Sequence, residues 1–204
     1  MTIGPEALEA FLRDRHSVRR FRPDPVPEAV IRRVLRAATR APSAHNRQPW
    51  RFAVVGRGKA RDRMILAMAR AFQSDLRADG LPAAEIEARV RSAQERVAQA
   101  PAVIVLCLTM ADMRVYPDAR RQANERTMAI QSVALAGGHI LLAAHAEGLG
   151  ACWMGAPLFA PQAATEALGL PPDWEPQGLI IMGVPEGPGK ETDRRAVDEV
   201  TLWR

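Results

Sequence analysis

Cysteine is scarce. The chain has two in 204 residues. Cys107 and Cys152 lie far apart and form no C-x-x-C pair, so no disulfide framework is expected and a reduced, cytoplasmic protein is the default. Cys107 sits in an apolar run and reads as a core residue. Lysine is nearly absent, with only Lys59 and Lys190. No run of 18 apolar residues is present, so no transmembrane helix is expected. No basic segment followed by an apolar stretch opens the chain, so no secretory leader is expected. Gly56-Arg57-Gly58 follows an apolar run, but Arg61 stands where G-x-G-x-x-G requires glycine, which leaves a turn rather than a phosphate loop. His45, His139 and His145 show no metal-ligand spacing. No triad, paired-carboxylate constellation, internal repeat or low-complexity segment is visible.

Apolar residues make up 48% of the chain and charged residues 25%. This composition suits one globular domain over 1–204, long enough for a real core, with a possible excursion. The formal charge of +5 and a pI near 10.2 raise the question of nucleic acid. The basic residues are spread beside acids, and the one dense cluster is Arg13, Arg15, Arg19, Arg20 and Arg22. A cluster that local suits one phosphorylated ligand better than a duplex track, and no aromatics interleave it for base stacking. An arginine cluster is also ordinary solvated surface.

Pro5 to Arg13 carries Ala7, Leu8, Phe11 and Leu12 at helical spacing. Val30, Ile31, Val34, Leu35 and Ala38 mark a second helix, ending near Ala41 before Pro42. Pro49 has no ladder donor, so a strand starts at Trp50 and runs to Val55. Residues 59–99 form a helical excursion, with Met64, Ile65, Met68 and Phe72 inward on one helix. Ile86, Val90, Ala93 and Val97 are inward on the next. Val103 to Leu108 is a strand buried on both faces. Asn124 to Glu147 is the longest helix. Gly137-Gly138 in its middle costs ~1 kcal/mol each against Ala, which a close helix crossing would justify. Gly148 to Pro157 reads as a loop, Pro161 to Leu168 as a short helix, Leu179 to Val184 as a buried strand and Val200 to Trp203 as a terminal strand. Strands and helices do not alternate regularly, so the class is α+β.

Three stretches stand out in order: Arg15-His16-Ser17-Val18-Arg19, then Ala41-Pro42-Ser43-Ala44-His45-Asn46-Arg47-Gln48-Pro49-Trp50, then a helix running into Gly148-Leu149-Gly150. Ser43, Asn46 and Gln48 form either a capped turn or a stiff loop that reads a heteroaromatic ring by hydrogen bonds. Taken together, the three stretches resemble the flavin-dependent nitroreductase family over essentially the whole chain. That resemblance implies a central, mainly antiparallel sheet flanked by helices, in a homodimer whose C-terminal strand is exchanged. It implies FMN as cofactor, NAD(P)H as electron donor and a small conjugated acceptor, with no nucleic-acid or membrane partner.

By the same resemblance, Arg15, His16, Ser17 and Arg19 match positions that take the flavin phosphate, where guanidinium forks bind bidentately. Arg194 or Arg195 matches the C-terminal basic position closing on it. Pro42, Ser43 and Asn46 match positions approaching the flavin from the partner subunit, with Gln48 and Trp50 bracing the loop. Met154, Gly155 and Ala156 match the loop whose backbone amide faces the flavin N5. A narrower resemblance, over about 130 residues, is to the C-terminal flavin domain of the ligase of deazaflavin coenzyme (factor 420) biosynthesis. It is carried by Ser74-Asp75-Leu76, Asp79-Gly80-Leu81-Pro82, Tyr116-Pro117-Asp118-Ala119 and Pro171-Pro172-Asp173-Trp174-Glu175-Pro176; the ligase domain itself has no counterpart here. It implies a deazaflavin precursor as acceptor. Arg63, Arg70 and Arg77, seven apart, share nearly one helical face if that helix persists. Such a face holds an acidic tail or is simply solvated. Two other readings stand: an oxygen-dependent flavin fragmentation enzyme making the cobalamin lower ligand, and a flavin-binding protein without turnover.

Overall fold

The computed structural model describes residues 3–189 and 192–204. Its centre is β2 (Ala102–Leu108), Ala-Val-Ile-Val-Leu-Cys-Leu, buried at every position. Side chains on a strand alternate between faces. Ala102, Ile104, Leu106 and Leu108 enter one apolar cluster, and Val103, Val105 and Cys107 enter a second. Burial on both faces puts β2 inside the sheet, between β1 (Trp50–Val55) and β4 (Glu175–Gly183). β3 (Gly150–Met154) completes the order β1-β2-β4-β3, with every neighbouring pair antiparallel.

One helical layer holds α2 (Glu28–Ala38) and α5 (Ala119–Ala146). The other holds α3 (Lys59–Ala78), α4 (Ala83–Gln99) and α7 (Pro161–Leu168), with the short α6 (Ala156–Phe159). α1 (Pro5–Asp14) carries no buried residue. The expected α+β class, with an antiparallel sheet flanked by helices, is what the structure has.

Several sequence expectations are corrected. Residues 150–154 form a strand rather than a loop, because Ala151 to Met154 pair with Leu179 to Met182 of β4. Val200 to Trp203 is not a strand. Val197–Val200 is one helical turn, α8, and the residues after it pair with nothing among the described residues, leaving Leu202 and Trp203 72% and 78% exposed. Within the chain, Gly137 serves the packing of α5 on the sheet. A Cβ there would fall 2.0 Å from the Trp153 ring and 2.9 Å from Leu106, so the glycine lets α5 press onto its own sheet. Gly138 faces open space. α3 persists to Ala78, so Arg63, Arg70 and Arg77 do share a face, while Phe72 on the inward side stays 37% exposed at the mouth of a cavity. α2 ends at Ala38, capped by Thr39, slightly before the expected boundary. α5 starts five residues early because the Asp118 carboxylate accepts from the Arg121 N–H and caps it.

By length and composition α5 is apolar enough to cross a membrane, which the absence of an 18-residue apolar run did not anticipate. Here it is a core helix, with Val133, Ala136, Ile140 and Ala144 fully buried. Arg61 is the other surprise. It is 1% exposed, and its guanidinium donates to the carbonyls of Ala100 (2.5 Å) and Val55 (2.6 Å), tying the end of α4 to the end of β1. Burial lowers its pKa, yet a guanidinium keeps its proton in any accessible range.

Candidate functional site

The arginine-rich stretch leaves α1 in extended form. Ser17 bridges Ala151 of β3, and the Val18 N–H donates to the Ala151 carbonyl at 3.0 Å. Phe21 bridges Pro185, just past β4. The stretch therefore runs along the open edge of β3. Gly150 is required there, since a Cβ would fall 2.6 Å from Val18.

His16 is the hinge of this edge. Its Nδ1 lies 2.9 Å from the Asp14 carbonyl, while its Nε2 is buried with no hydrogen-bond partner among the described residues. The backbone of Gly189 lies against the ring so closely that a Cβ would come within 1.4 Å of Nε2. Arg15, His16 and Arg194 line one recess of 870 Å³ together with Thr192. Ser17 and Arg19 line a second recess of 380 Å³, which His16 and Gly189 also line. Among the described residues, Arg15 and Arg19 make no ion pair with a carboxylate, and Arg194 bonds only to Thr192 and Asp193. Of the undecided pair, Arg194 is the one in the recess, and Arg195 lines none of the described cavities. Arg15 and Arg194, unpaired among the described residues, line this recess together with Glu9 and Asp14, and free guanidinium groups are suited to a phosphate.

Four residues along β3 from Ala151, about 13 Å at the usual rise, the strand ends and Gly155 begins α6. Met154, Gly155 and Ala156 line a cavity of 420 Å³ with α3, α4 and Phe159. Gly155 has φ −81°, open to any residue, and a Cβ there would meet only Phe159 at 3.8 Å. Nothing in its own chain requires a glycine at this position.

The loop carrying Pro42, Ser43 and Asn46 lies elsewhere. It precedes β1, at the far edge of the sheet, three strand spacings or about 14 Å from β3. Its Ala44 N–H donates to Ser132 Oγ in the middle of α5 at 3.2 Å. Ser132 and His145, which lines a recess with Arg15, are separated by about 20 Å of helix. His45, Asn46 and Gln48 all adopt positive φ, a conformation costly for non-glycine residues. The Gln48 N–H donating to Ser43 Oγ at 3.1 Å pins the shape, with the buried Trp50 behind it. One chain thus brings Arg15, His16, Ser17, Arg19, Arg194 and the Gly155 turn to the β3 edge, and leaves Pro42, Ser43 and Asn46 at the opposite edge.

Sequence reasoning missed Ser132, whose signal was weak: a lone serine on an apolar helix. The inward face of Ile65, Met68 and Phe72 was read, but not that it lines a cavity together with Asp75 and Asp79. Elsewhere Arg126 holds the Glu175 carboxyl below its ordinary value through a bidentate pair at the start of β4. Arg33 does the same to Glu147 at the end of α5. Both pairs look structural. No cluster of metal ligands is present among the described residues.

The fold is an antiparallel sheet between two helical layers, with an arginine-lined recess near one end of β3 and a glycine turn at the other. Residues 12–184 match the nitroreductase family, and the chain belongs to it. It is 33% identical over 215 aligned positions to an NADH dehydrogenase of Thermus thermophilus, covering 93% of this chain and 92% of that protein. It is also 33% identical to a 5,6-dimethylbenzimidazole synthase of Rhodospirillum rubrum, covering 93% and 88%. Among solved structures, a candidate nitroreductase of Desulfovibrio desulfuricans in complex with FMN superposes with a TM-score of 0.74 at 26% identity, covering 100% of this chain and 98% of that one.

Proposed function

We propose that this chain binds FMN along the β3 edge and passes two electrons from NAD(P)H to a conjugated acceptor in alternating half-reactions. The carrying observation is the pairing of an arginine-lined corner near one end of β3 with a turn at the other whose glycine a Cβ would not crowd. FMN when bound supplies the redox chemistry, and the protein supplies binding, orientation and electrostatics. Arg15 and Arg194, with His16, would hold the phosphate, and Arg19 and Ser17 would close the same corner. Gly155, lacking a side chain, would let a flat ring lie against the backbone between Met154 and Ala156. The solved relative with FMN supports the cofactor, and the Thermus relative supports a nicotinamide donor.

The separation of the Ser43 loop from this edge favours a homodimer, in which the loop of one chain meets the β3 edge of its partner. The exposed residues after α8 would reach over that partner. A second reading, oxygen-dependent fragmentation of reduced flavin to the cobalamin lower ligand, is favoured by the Rhodospirillum relative at the same identity. The deazaflavin acceptor rests on the short segments at 74–76, 79–82, 116–119 and 171–176 alone. One experiment orders these readings. The purified protein is reduced with NADH or NADPH under anaerobic conditions and then given a quinone, oxygen or the oxidised deazaflavin coenzyme. Rapid reoxidation by the quinone with flavin recovered supports the main reading. Loss of flavin with appearance of dimethylbenzimidazole under oxygen replaces it with the second. A colourless protein that takes up no FMN overturns both.

A further inference from the structure

The cavity beside Gly155 is apolar on nearly all sides. Ile65, Met68, Phe72 and Leu76 of α3 face Ala93 and Val97 of α4, and Phe159 closes the end. Among the described residues, the only ionisable groups on its wall are Asp75 and Asp79. Asp79 is also the C-cap of α3, so the negative end of that helix points to the same rim. The arginines of α3 do not relieve this charge. At about 100° per residue, Arg63, Arg70 and Arg77 lie roughly 170° around the helix from the cavity-lining residues. All are exposed, and Arg63 reaches instead toward the Ala167 carbonyl on α7. A stripe that sequence spacing offers to an acidic tail therefore faces away from the only cavity that adjoins the Gly155 turn among those described.

From this we infer that the cavity between α3, α4 and α6 receives the electron acceptor, and that Asp75 and Asp79 select flat apolar acceptors bearing no negative charge. The inference rests on the flavin reading above, because Met154, Gly155 and Ala156 form both the cavity wall and the turn assigned to the flavin. It names the opposite substrate charge from the deazaflavin coenzyme with its acidic tail. The apolar walls bind the ring by burial, and the two carboxylates repel an anionic substituent at the rim. Two exposed charges at roughly 6 Å amount to about tenfold against a monoanion.

The test uses 1,2-naphthoquinone and its 4-sulfonate with the full-length protein loaded with FMN. The ratio of kcat/KM between the two quinones is compared in the original protein and in the Asp75→Asn, Asp79→Asn double variant. Comparing ratios cancels the difference in reduction potential between the quinones. The expected result is that the preference for the uncharged quinone shrinks about tenfold in the double variant, through a gain on the sulfonate. Equilibrium dialysis of the same quinones needs no turnover. There Ala69→Phe, which fills the cavity from α3, is expected to abolish binding of the uncharged quinone with FMN content unchanged. An unaltered ratio, or unaltered dialysis in Ala69→Phe, overturns the inference. Absence of FMN or of nicotinamide oxidation strikes the reading beneath it and leaves the dialysis result to decide the cavity's role.

Discussion

Trp153 lies between two glycines, Gly137 of α5 and Gly178 of β4, each so close that a Cβ would overlap its ring. Gly137→Ala should therefore cost about 1–3 kcal/mol through overpacking, whereas Gly138→Ala, one position on in open space, should gain up to about 1 kcal/mol. Denaturant melts of the two variants check this, and equal effects would contradict the packing. This pair shows what a sequence leaves hidden. Both glycines carry the same propensity penalty, and only the position of Trp153 on a strand that forms elsewhere tells them apart. The cluster proposed to take the phosphate was more legible as a cluster, because Arg15, His16 and Ser17 are contiguous. That Arg194 rather than Arg195 lines the recess was not, since it depends on how a distant segment lands. Replacing Arg15 and Arg194 together with Ala should leave folded, colourless protein, each lost contact being worth ~1.5–3 kcal/mol or tenfold to a hundredfold in affinity. Flavin absorbance per chain after gel filtration is the measure. Burial pushes the Cys107 thiol up to about 12, and Cys152 is buried too. Neither should react with a disulfide reagent until the protein unfolds.

Two elements whose starts are fixed by proline were read accurately. β1 begins at Trp50, after Pro49, and α7 spans Pro161–Leu168. Elements defined by a partner were not. Gly-Ala-Cys-Trp-Met has little strand character alone and becomes β3 by pairing with β4. Val200 to Trp203 has strand character and no partner within its described chain. Between elements, Arg61 joins α3 to the ends of β1 and α4. Arg61→Ala would orphan two carbonyls and leave a void, at a cost of about 2–4 kcal/mol. A shift in urea midpoint of that size checks it. The Arg126–Glu175 pair ties α5 to the start of β4 and depresses the Glu175 pKa. A depressed carboxyl stabilises fully above the ordinary value of 4.5 and loses its contribution as pH falls below that through the lower folded value. Glu175→Gln should lose stability at pH 7 and show a shallower loss on acidification, as thermal melts at several pH values would reveal.

At the scale of the whole molecule, exposed apolar side chains gather on α8 and the tail beyond it, with Val197, Val200, Leu202 and Trp203 all more than 60% exposed. Under the proposed function, deleting residues 196–204 should weaken both self-association and flavin binding. Light scattering at micromolar concentration should show a dimer for the intact chain and a shift toward monomer for the truncated one. A monomeric, flavin-bound intact chain would refute it. The placing of the Ser43 loop and the Arg15 corner at opposite sheet edges has a genetic consequence. A chain defective at one edge and a chain defective at the other each build no intact site alone. Under the homodimer proposed above, mixing them gives a heterodimer with both lesions in one site and none in the other. Random pairing of an Arg15→Ala, Arg194→Ala chain with a Ser43→Ala, Asn46→Ala chain should thus restore about a quarter of the sites. Two inactive alleles expressed together would then complement each other.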